Sequence, residues 1–323
     1  MKRFGWLLLS ICLLGCRAGG SETGTDVFRT EEPPRSEAIV LLVQPTEEAH
    51  GATTLSSVPT APPTPEPVFF DKFVSGEPVL TETSYQSETT AVFLSRVEDT
   101  SHTFDRGNLV YRVADIYLKD PTLLRAAFTH ENFAYKYIKP MKEVAEGAGA
   151  ILAISGDYIR HRESGICVRN GETYRTEHDP ERDVCVFYRD GTMETFDADN
   201  VPEETLLSDP NVWHIIGFGP ALLDENGRPK ESFHTRVGGH NPRAVIGYYE
   251  PGHYCFVLVE GRQSDSSGIR MTGLSALMAS LGCKRAFNLD GGNTAAIYFD
   301  GRIINTEADR SRDVHDIFYI PKG

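Results

Sequence analysis

The sequence predicts an α+β fold, with a mixed, mainly antiparallel β-sheet core and a few packed helices. Short apolar runs rich in Val, Ile, Phe and Tyr recur from Val110 onward, and turns such as Arg189-Asp-Gly191 separate them. Only two segments have apolar residues at helical spacing, and we see no internal repeat and no second domain boundary after Asp71. Many strands and few helices are typical of a domain built around a sheet.

The strand predictions rest on alternating or continuous apolar residues between turn residues. The first is Val110–Leu118, in which Val110, Ile116 and Leu118 share one alternating face. Eight shorter runs follow, at residues 151–155, 184–188, 214–217, 244–249, 254–259, 286–289, 295–299 and 317–320.

Two helices are predicted. Residues 132–146 have helical spacing, but Pro140 lacks an amide hydrogen and should break or kink the helix there. The second helix has Thr272 as its N-cap and Gly282 as its C-terminal stop. Between them an apolar stripe predicts that the helix packs against the sheet. The stripe is formed by Leu274, Leu277, Met278 and Leu281.

Residues 1–15 are predicted to be a signal peptide. Two basic residues precede the apolar stretch Trp6–Leu14, which is too short for a permanent membrane span. The sequence Leu13-Leu14-Gly15-Cys16 resembles the lipobox of bacterial lipoproteins, in which the cysteine carries diacylglycerol. The alternative is an ordinary secretory signal with a chance cysteine. The resemblance implies lipidation of Cys16 and a membrane anchor on the extracytoplasmic side.

Residues 16–70 are predicted to be a tether, and residues 71–323 the globular domain. The tether is rich in Ser, Thr, Glu and Pro and ends in the proline-rich stretch Pro59–Pro67, a composition typical of semi-rigid spacers. The apolar stretch Ala38–Val43 interrupts it, and the sequence leaves open whether this is a docking segment or an isolated apolar island.

Charge and missing motifs exclude several classes of protein. The formal net charge is -14, and no cluster of Lys and Arg is present, which excludes a nucleic-acid partner. The chain has no GxSxG elbow, Walker A or GxGxxG sequence, and no HExxH, EF-hand or CxxC metal motif. No cofactor is required by the sequence. A Ca²⁺ ion bound by acidic side chains stays open, and the metal requirement is unknown.

Four cysteines lie in the globular domain, in or beside apolar runs. An extracytoplasmic location permits disulfides but does not require them, so paired cysteines and buried free thiols both stay open. The four are Cys167, Cys185, Cys255 and Cys283.

Six short motifs occur in a fixed order and together resemble the phosphodiester glycosidase family. Each is weak alone, but their order and spacing are specific, and the resemblance covers about residues 115–320. It implies a hydrolase acting on a sugar whose anomeric carbon is joined to a phosphodiester. The motifs are Ile154-Ser-Gly-Asp-Tyr158, Asn241-Pro-Arg-Ala-Val-Ile-Gly247, Val259-Glu-Gly-Arg-Gln263, Asn288-Leu-Asp-Gly-Gly292, Arg310-Ser-Arg-Asp-Val314 and Asp316-Ile-Phe-Tyr-Ile320.

Two carboxylates are the candidate catalytic residues, since glycosidases commonly use a pair. Asp290 follows an apolar run, and the amides of Gly291, Gly292 and Asn293 after it are expected to form an anion-binding nest. The alternative is an ordinary Asp-Gly-Gly turn between strands. Asp157 also follows an apolar run, and its alternatives are a turn cap or a ligand of a structural cation.

Arg243 is the leading candidate for binding phosphate, because a planar guanidinium donates two parallel hydrogen bonds to phosphate oxygens. A salt bridge to a neighbouring acid is the alternative. Arg262 and Arg312 are further candidates for the same role. Glu260 stands where many relatives carry Asp, and Asn288 is a candidate sugar ligand or a buried side chain that holds its own turn.

The chain departs from the resemblance after the two glycines. The family often has Gly-Ser-Ser-Thr where this chain has Asn293-Thr-Ala-Ala296, so Ala295 and Ala296 supply no hydroxyl. The retained carboxylates and Arg243 favour a hydrolase of a cell-wall or exopolysaccharide glycan. The departure favours the alternative, a non-catalytic polysaccharide-binding envelope lipoprotein. The expected partners are a glycan or sugar-phosphate substrate and the membrane, and the oligomeric state stays open.

Overall fold

The computed structural model describes residues 69–131, 133, 136–159, 162–233, 235, 237–305 and 313–323. All of them lie within the compact unit Thr64–Gly323. The predicted signal peptide, Cys16, nearly all of the predicted tether and Arg312 fall outside the described residues. None of the described helices is long and apolar enough to cross a membrane.

The largest of three antiparallel sheets has seven strands. In spatial order they are β1 (Val79–Leu80), β2 (Ser84–Gln86), β3 (Thr90–Asp99), β4 (Leu109–Leu118), β13 (His253–Val259), β12 (Arg243–Glu250) and β14 (Arg285–Asn288).

Two sheets of five strands complete the fold. The second sheet is formed, in spatial order, by β10 (Met193–Phe196), β9 (Val184–Tyr188), β11 (Val212–Ile216), β7 (Cys167–Arg169) and β8 (Glu172–Arg175). The third is formed by β16 (Arg302–Ile303), β15 (Ile297–Phe299), β6 (Ala150–Ser155), β17 (Asp316–Pro321) and β5 (Arg125–Phe128).

The main core lies where the inner faces of the three sheets meet. It joins Ile116 and Leu118 of the large sheet with Phe187 of the second sheet and Phe318 of the third. On the opposite face of the large sheet, helix α3 (Met271–Ser280) covers a second apolar cluster. The central strands β4, β13 and β12 are therefore mostly buried on both faces, which explains why their sequences are almost continuous apolar runs.

Two further helices are described, α1 (Met141–Gly147) and α2 (Glu203–Ser208). Helix α1 begins directly after Pro140, which confirms that the proline interrupts the predicted helix, but the described residues 136–139 before it are not helical, so that part of the prediction is wrong. Helix α3 ends as predicted, with Gly282 at φ +83° and the Cys283 amide donating to the Met278 carbonyl. The prediction for its start is wrong, because the N-cap position is Arg270 and not Thr272.

The predicted strands are all present, with ends that differ by at most two residues. The prediction of a mixed sheet is wrong, because every strand pair among the described residues is antiparallel. Apolar runs do not encode strand direction. Eight strands were not predicted from the sequence, because they are short, polar on one face, or both: β1, β2, β3, β5, β7, β8, β10 and β16.

Gly156 lets the end of β6 lie against β17. Its amide donates to the Asp316 carbonyl at 2.9 Å, and an added Cβ would lie 2.6 Å from that oxygen and closer still to the Asp316 carboxylate. We expect Gly156→Ala to lower the free energy of unfolding by about 1–3 kcal/mol through overpacking. Urea unfolding measures this. Gly147→Ala, with nothing within 4 Å of its Cβ, is the matched control and should be neutral or stabilising.

His214 of β11 is buried in its neutral form. Its Nε2 donates to the Leu124 carbonyl at 2.9 Å, and its Nδ1 accepts from the Asn170 amide at 3.3 Å. Burial lowers the pKa of His214 from 6.5 to about 3. Between these values only the unfolded chain binds the proton, so this residue should remove about 1.4 kcal/mol of stability per pH unit as the pH falls below 6.5.

The measurement is urea unfolding at pH 7.5, 5.5 and 4.5, with His214→Gln compared with the unaltered chain. The variant should lose stability less steeply as the pH falls, because glutamine takes up no proton in the unfolded state. Equal slopes for the two proteins would contradict the prediction.

Candidate active site

Asp290 lies on the wall of a cleft of about 770 Å³. It follows Leu289, whose amide donates to the Ala244 carbonyl and so extends β14 along β12. The Asp290 amide donates to the Gly156 carbonyl at 2.9 Å, and the Ser155 hydroxyl donates to the Asp290 carbonyl at 3.1 Å. The end of β14 is therefore joined to the end of β6, and the predicted catalytic carboxylate stands where two sheets meet.

The turn after Asp290 requires both of its glycines. An added Cβ at Gly291 would lie 2.8 Å from the Pro242 carbonyl, and Gly292 has φ +64°. The Gly292 amide donates to the Pro242 carbonyl at 2.9 Å, so it is not available to the predicted anion-binding nest. Gly291 lines the cleft with Asp290, whereas Asn293 lies against a second, smaller depression.

Two arginines that the sequence analysis did not identify line the cleft with Asp290. Arg162 donates to the carbonyls of Gly217 and Asp157, both at 2.8 Å, and its guanidinium lies 5.3 Å from the Phe218 ring centroid.

Arg182, the second of these arginines, donates to the Phe218 carbonyl at 3.1 Å, and its Nε lies 3.2 Å from the Asp179 carboxylate. Burial lowers the pKa of the Arg162 guanidinium, and the nearby Asp157 and Asp290 carboxylates act against this. Two cationic side chains thus share the cleft with three carboxylates, those of Glu181, Asp199 and Asp290.

The sequence motifs do not identify these two arginines. Arg162 lies in a loop four residues after the Ile154–Tyr158 motif, and Arg182 belongs to a polar stretch before β9. Neither position stands in a motif, and both reach the cleft because they hydrogen-bond to the chain that leaves β11.

Asp157 does not line the cleft. Its side chain is fully buried, and its Oδ2 accepts from Arg169 Nη2 at 2.9 Å and from the Gly217 amide at 3.0 Å. Arg169 Nη2 also lies 3.2 Å from the Asp316 carboxylate. The second predicted catalytic carboxylate is therefore part of a buried ion-pair cluster. Asp157 is linked to the cleft by its backbone carbonyl, which accepts a hydrogen bond from Arg162.

The buried cluster holds two carboxylates and one guanidinium. Arg169 and Asp316 are each 1% exposed. Burial raises the pKa of the Asp316 carboxyl, and Arg169 acts against this. Removing Arg169 would leave two buried carboxylates without their cation, which is among the costlier changes in a protein core.

Arg243 is also turned away from the cleft. It is 3% exposed, and its guanidinium donates to the carbonyls of Val237 and Gly239, both at 2.6 Å, and of Ile269 at 3.4 Å. Burial lowers its pKa to about 10. The salt bridge weighed as its alternative is also absent among the described residues. Arg243 holds the segment that carries Val237, a residue of the cleft wall.

The smaller depression lies beside the same turn and contains Arg262, Glu260 and Asn293. Arg262 has φ +62°, and its guanidinium donates to the Asn241 side chain at 2.7 Å and to the Asn293 side chain. Glu260 is 2% exposed and accepts from Arg112 Nε at 2.8 Å. Arg262 is exposed to solvent, whereas the Glu260 carboxylate is held in a buried ion pair with Arg112.

Asn288 is fully buried, and its Nδ2 donates to the Gly219 carbonyl at 2.8 Å. It lies beside a wall residue of the cleft and not on the wall itself. This geometry matches the alternative of a buried side chain that holds a turn. Arg312 lies outside the described residues, so its role as a phosphate ligand stays a prediction.

The sequence departure after the glycines removes no hydroxyl from the cleft wall. Thr294 lines the cleft and keeps its hydroxyl there. Ala295 packs in the main core and also borders the smaller depression, and Ala296 packs in a separate apolar cluster with Met141 and Tyr298. The described residues contain no group of three or more His, Cys, Asp or Glu side chains arranged to hold a metal ion.

Comparison with known proteins gives matches to two curated sequences. The SPbeta prophage-derived uncharacterized protein YomE of Bacillus subtilis (strain 168) is 30% identical over 152 residues, which are 45% of this chain and 23% of that protein. The N-acetylglucosamine-1-phosphodiester alpha-N-acetylglucosaminidase of Bos taurus is 26% identical over 191 residues, which are 54% of this chain and 36% of that enzyme. The chain thus spans less than half the length of either relative.

A solved structure and a family profile complete the comparison. The catalytic domain of the zebrafish N-acetylglucosamine-1-phosphodiester alpha-N-acetylglucosaminidase, auto-inhibited by its pro-peptide, has a similar fold. The TM-score is 0.57 at 17% identity, over 72% of this chain and 83% of that domain. The profile of the phosphodiester glycosidase family matches residues 148–321, more than half of the sequence. The chain therefore belongs to the phosphodiester glycosidase family.

Proposed function

We propose that this protein hydrolyses the glycosidic bond between the anomeric carbon of a sugar and a phosphodiester. The observation that carries the proposal is the shared cleft, in which the Asp290 carboxylate stands with Arg162 and Arg182. Membership of the family supports the broader class, a hydrolase of phosphodiester-linked sugars. The name of the bovine relative supports an N-acetylglucosamine-1-phosphodiester as the first substrate to test.

The positive charge of the arginines and the negative charge of Asp290 suit different parts of such a substrate. A guanidinium binds phosphate oxygens through charge-assisted hydrogen bonds and stabilises the negative charge on the departing phosphate. Because phosphate leaves as a stable anion, its departure depends less on a general acid than the departure of an alcohol does. Arg162 and Arg182 therefore assist the departure of the leaving group, which a second carboxylate does in other glycosidases.

Asp290 acts at the anomeric carbon in this proposal. It either attacks that carbon or removes a proton from the attacking water. Both routes break the bond between the carbon and the phosphate oxygen, add the hydroxyl of water to the sugar and leave both electrons of the broken bond with the phosphate. Asp157 supports the reaction indirectly, because its carbonyl orients Arg162.

The proposal includes export and anchoring. It rests on the lipobox-like Leu13-Leu14-Gly15-Cys16 and on the proline-rich stretch that follows. A lipid on Cys16 would hold the enzyme at the outer side of the cell membrane, where cell-wall and exopolysaccharide glycans are its accessible substrates. The competing proposal, a polysaccharide-binding protein without activity, rests mainly on Ala295 and Ala296, and neither of these residues is part of the cleft wall.

Asp290→Asn should lower kcat for hydrolysis of UDP-N-acetylglucosamine by about 10²–10⁴-fold, because the neutral amide neither attacks carbon nor accepts a proton at neutral pH. Release of reducing sugar measures the rate. Asp199→Asn, which changes another carboxylate of the same cleft, is the matched control and should keep most of the activity. Full activity of Asp290→Asn would overturn this assignment. Glycan binding without hydrolysis of any such diester would favour the competing proposal.

Arg182→Gln should lower kcat/KM for the same substrate by about 10–100-fold, the size of one or two lost charge-assisted hydrogen bonds. Arg228→Gln is the control, since Arg228 is exposed and pairs with Asp224 in a remote turn. A 4-nitrophenyl glycoside has no phosphate, so the Arg182 variant should hydrolyse it as fast as the unaltered enzyme does. An equal loss with both substrates would show that Arg182 does not act on phosphate.

A further inference from the structure

Cys255 and Cys283 form a buried pair of thiols on the side of the large sheet that faces α3. Their sulfur atoms lie 3.8 Å apart, although the two residues are 28 positions apart in the chain. Cys255 is 0% exposed and Cys283 is 3% exposed. A sulfur–sulfur distance of this size is van der Waals contact, and a disulfide of about 2.05 Å needs the two sulfurs to move about 1.75 Å closer together.

The backbone around the pair provides the space for this contact. Cys255 of β13 lies directly opposite Gly247 of β12. A Cβ added to Gly247 would lie 2.7 Å from the Cys255 sulfur and 2.8 Å from the Cys283 sulfur. Both sulfurs thus point into the space above a glycine. Cys283 is fixed there because its amide donates to the Met278 carbonyl in the C-terminal stop of α3.

The other two thiols are placed differently. Cys167 lies on β7 and Cys185 on β9, and β11 runs between these two strands. Strands two positions apart in a sheet are separated by about 9.6 Å, whereas a disulfide requires Cα atoms within about 7 Å. Cys167 and Cys185 are therefore too far apart for a disulfide, and among the four described thiols the sulfur–sulfur contact is the one between Cys255 and Cys283.

We propose that Cys255 and Cys283 form an intramolecular disulfide when the chain folds in an oxidising compartment. The two thiols lose two protons and two electrons, the sulfur–sulfur bond forms, and a disulfide oxidant of the glutathione class is reduced to two thiols. The bond closes the segment that contains all of α3 and ends just before β14. It fastens the chain leading to Asp290 to the centre of the large sheet.

Burial determines when the bond forms. The neighbouring Cys283 thiol and burial raise the pKa of the Cys255 thiol well above its usual range, so the reactive thiolate is scarce in the folded protein. Exchange with an external oxidant therefore takes place during folding, before the pair is covered. Once formed, the bond is shielded from external thiols by the same burial.

The full chain is refolded in a buffer of oxidised and reduced glutathione. Free thiols are then blocked with N-ethylmaleimide in denaturant, and the remaining cysteines are reduced and labelled with iodoacetamide. Mass spectrometry of peptides should find iodoacetamide on Cys255 and Cys283, and N-ethylmaleimide on Cys167 and Cys185. N-ethylmaleimide on Cys255 and Cys283 in a sample that is folded by circular dichroism would overturn the proposal, as would pairing of either residue with another cysteine.

Thermal unfolding gives a second readout that does not depend on enzymatic activity. Refolding with reductant should lower the Tm of the unaltered chain by about 5–10 °C, because the closed loop no longer restricts the unfolded chain. The double variant Cys255→Ala, Cys283→Ala should show no such difference between the two refolding conditions. The matched variant Cys167→Ala, Cys185→Ala should keep it. A reductant effect that survives in the first variant would contradict the assignment.

Discussion

The buried guanidinium of Arg169 is the interaction on which the arrangement of the cleft depends. It stands on β7 and pairs with Asp157 at the end of β6 and with Asp316 at the start of β17. A charge in the protein interior is costly unless its partners surround it, so these three side chains hold the second and third sheets at a fixed distance. Burial raises the pKa of the Asp316 carboxyl, and its pairing with Arg169 opposes this rise.

The buried cluster positions the cleft residues through three consecutive residues, Ser155, Gly156 and Asp157. The Asp157 carboxylate fixes the Gly217 amide, and the carbonyls of Gly217 and Asp157 orient Arg162. The Gly156 carbonyl and the Ser155 hydroxyl hold the backbone of Asp290. Residues 155–157 therefore position both Arg162 and Asp290 of the proposed active site. Gly156 is required among them because β17 passes too close for any side chain.

The antiparallel topology explains how distant motifs meet at this place. β6, β12 and β14 belong to two sheets, and their ends converge because β12 pairs with β14 while the chain after β14 bonds to the end of β6. Motif residues that are buried, such as Arg243 and Asn288, hold the loops behind the wall of the cleft. Some motif residues of this chain therefore have a structural role behind the cleft wall.

The sequence predicted much of the framework, since apolar periodicity and turn residues are local signals. It located nine strands, the break at Pro140, the stop at Gly282 and Asp290 just beyond a strand, and the ordered motifs indicated the family. It did not give strand direction, the division into three sheets or the polar strands, because these depend on pairing between distant residues.

The direction of each motif side chain was decided only by the tertiary structure. The sequence predicted a catalytic role for Asp157 and phosphate binding for Arg243. In the structure Asp157 pairs with Arg169 in the core, and Arg243 donates to three backbone carbonyls. Arg162 and Arg182 belong to no motif and yet line the cleft. The sequence by itself determined which residues are polar and where strands end. The burial of polar groups requires partners, and only the packed fold determines which partners are within reach.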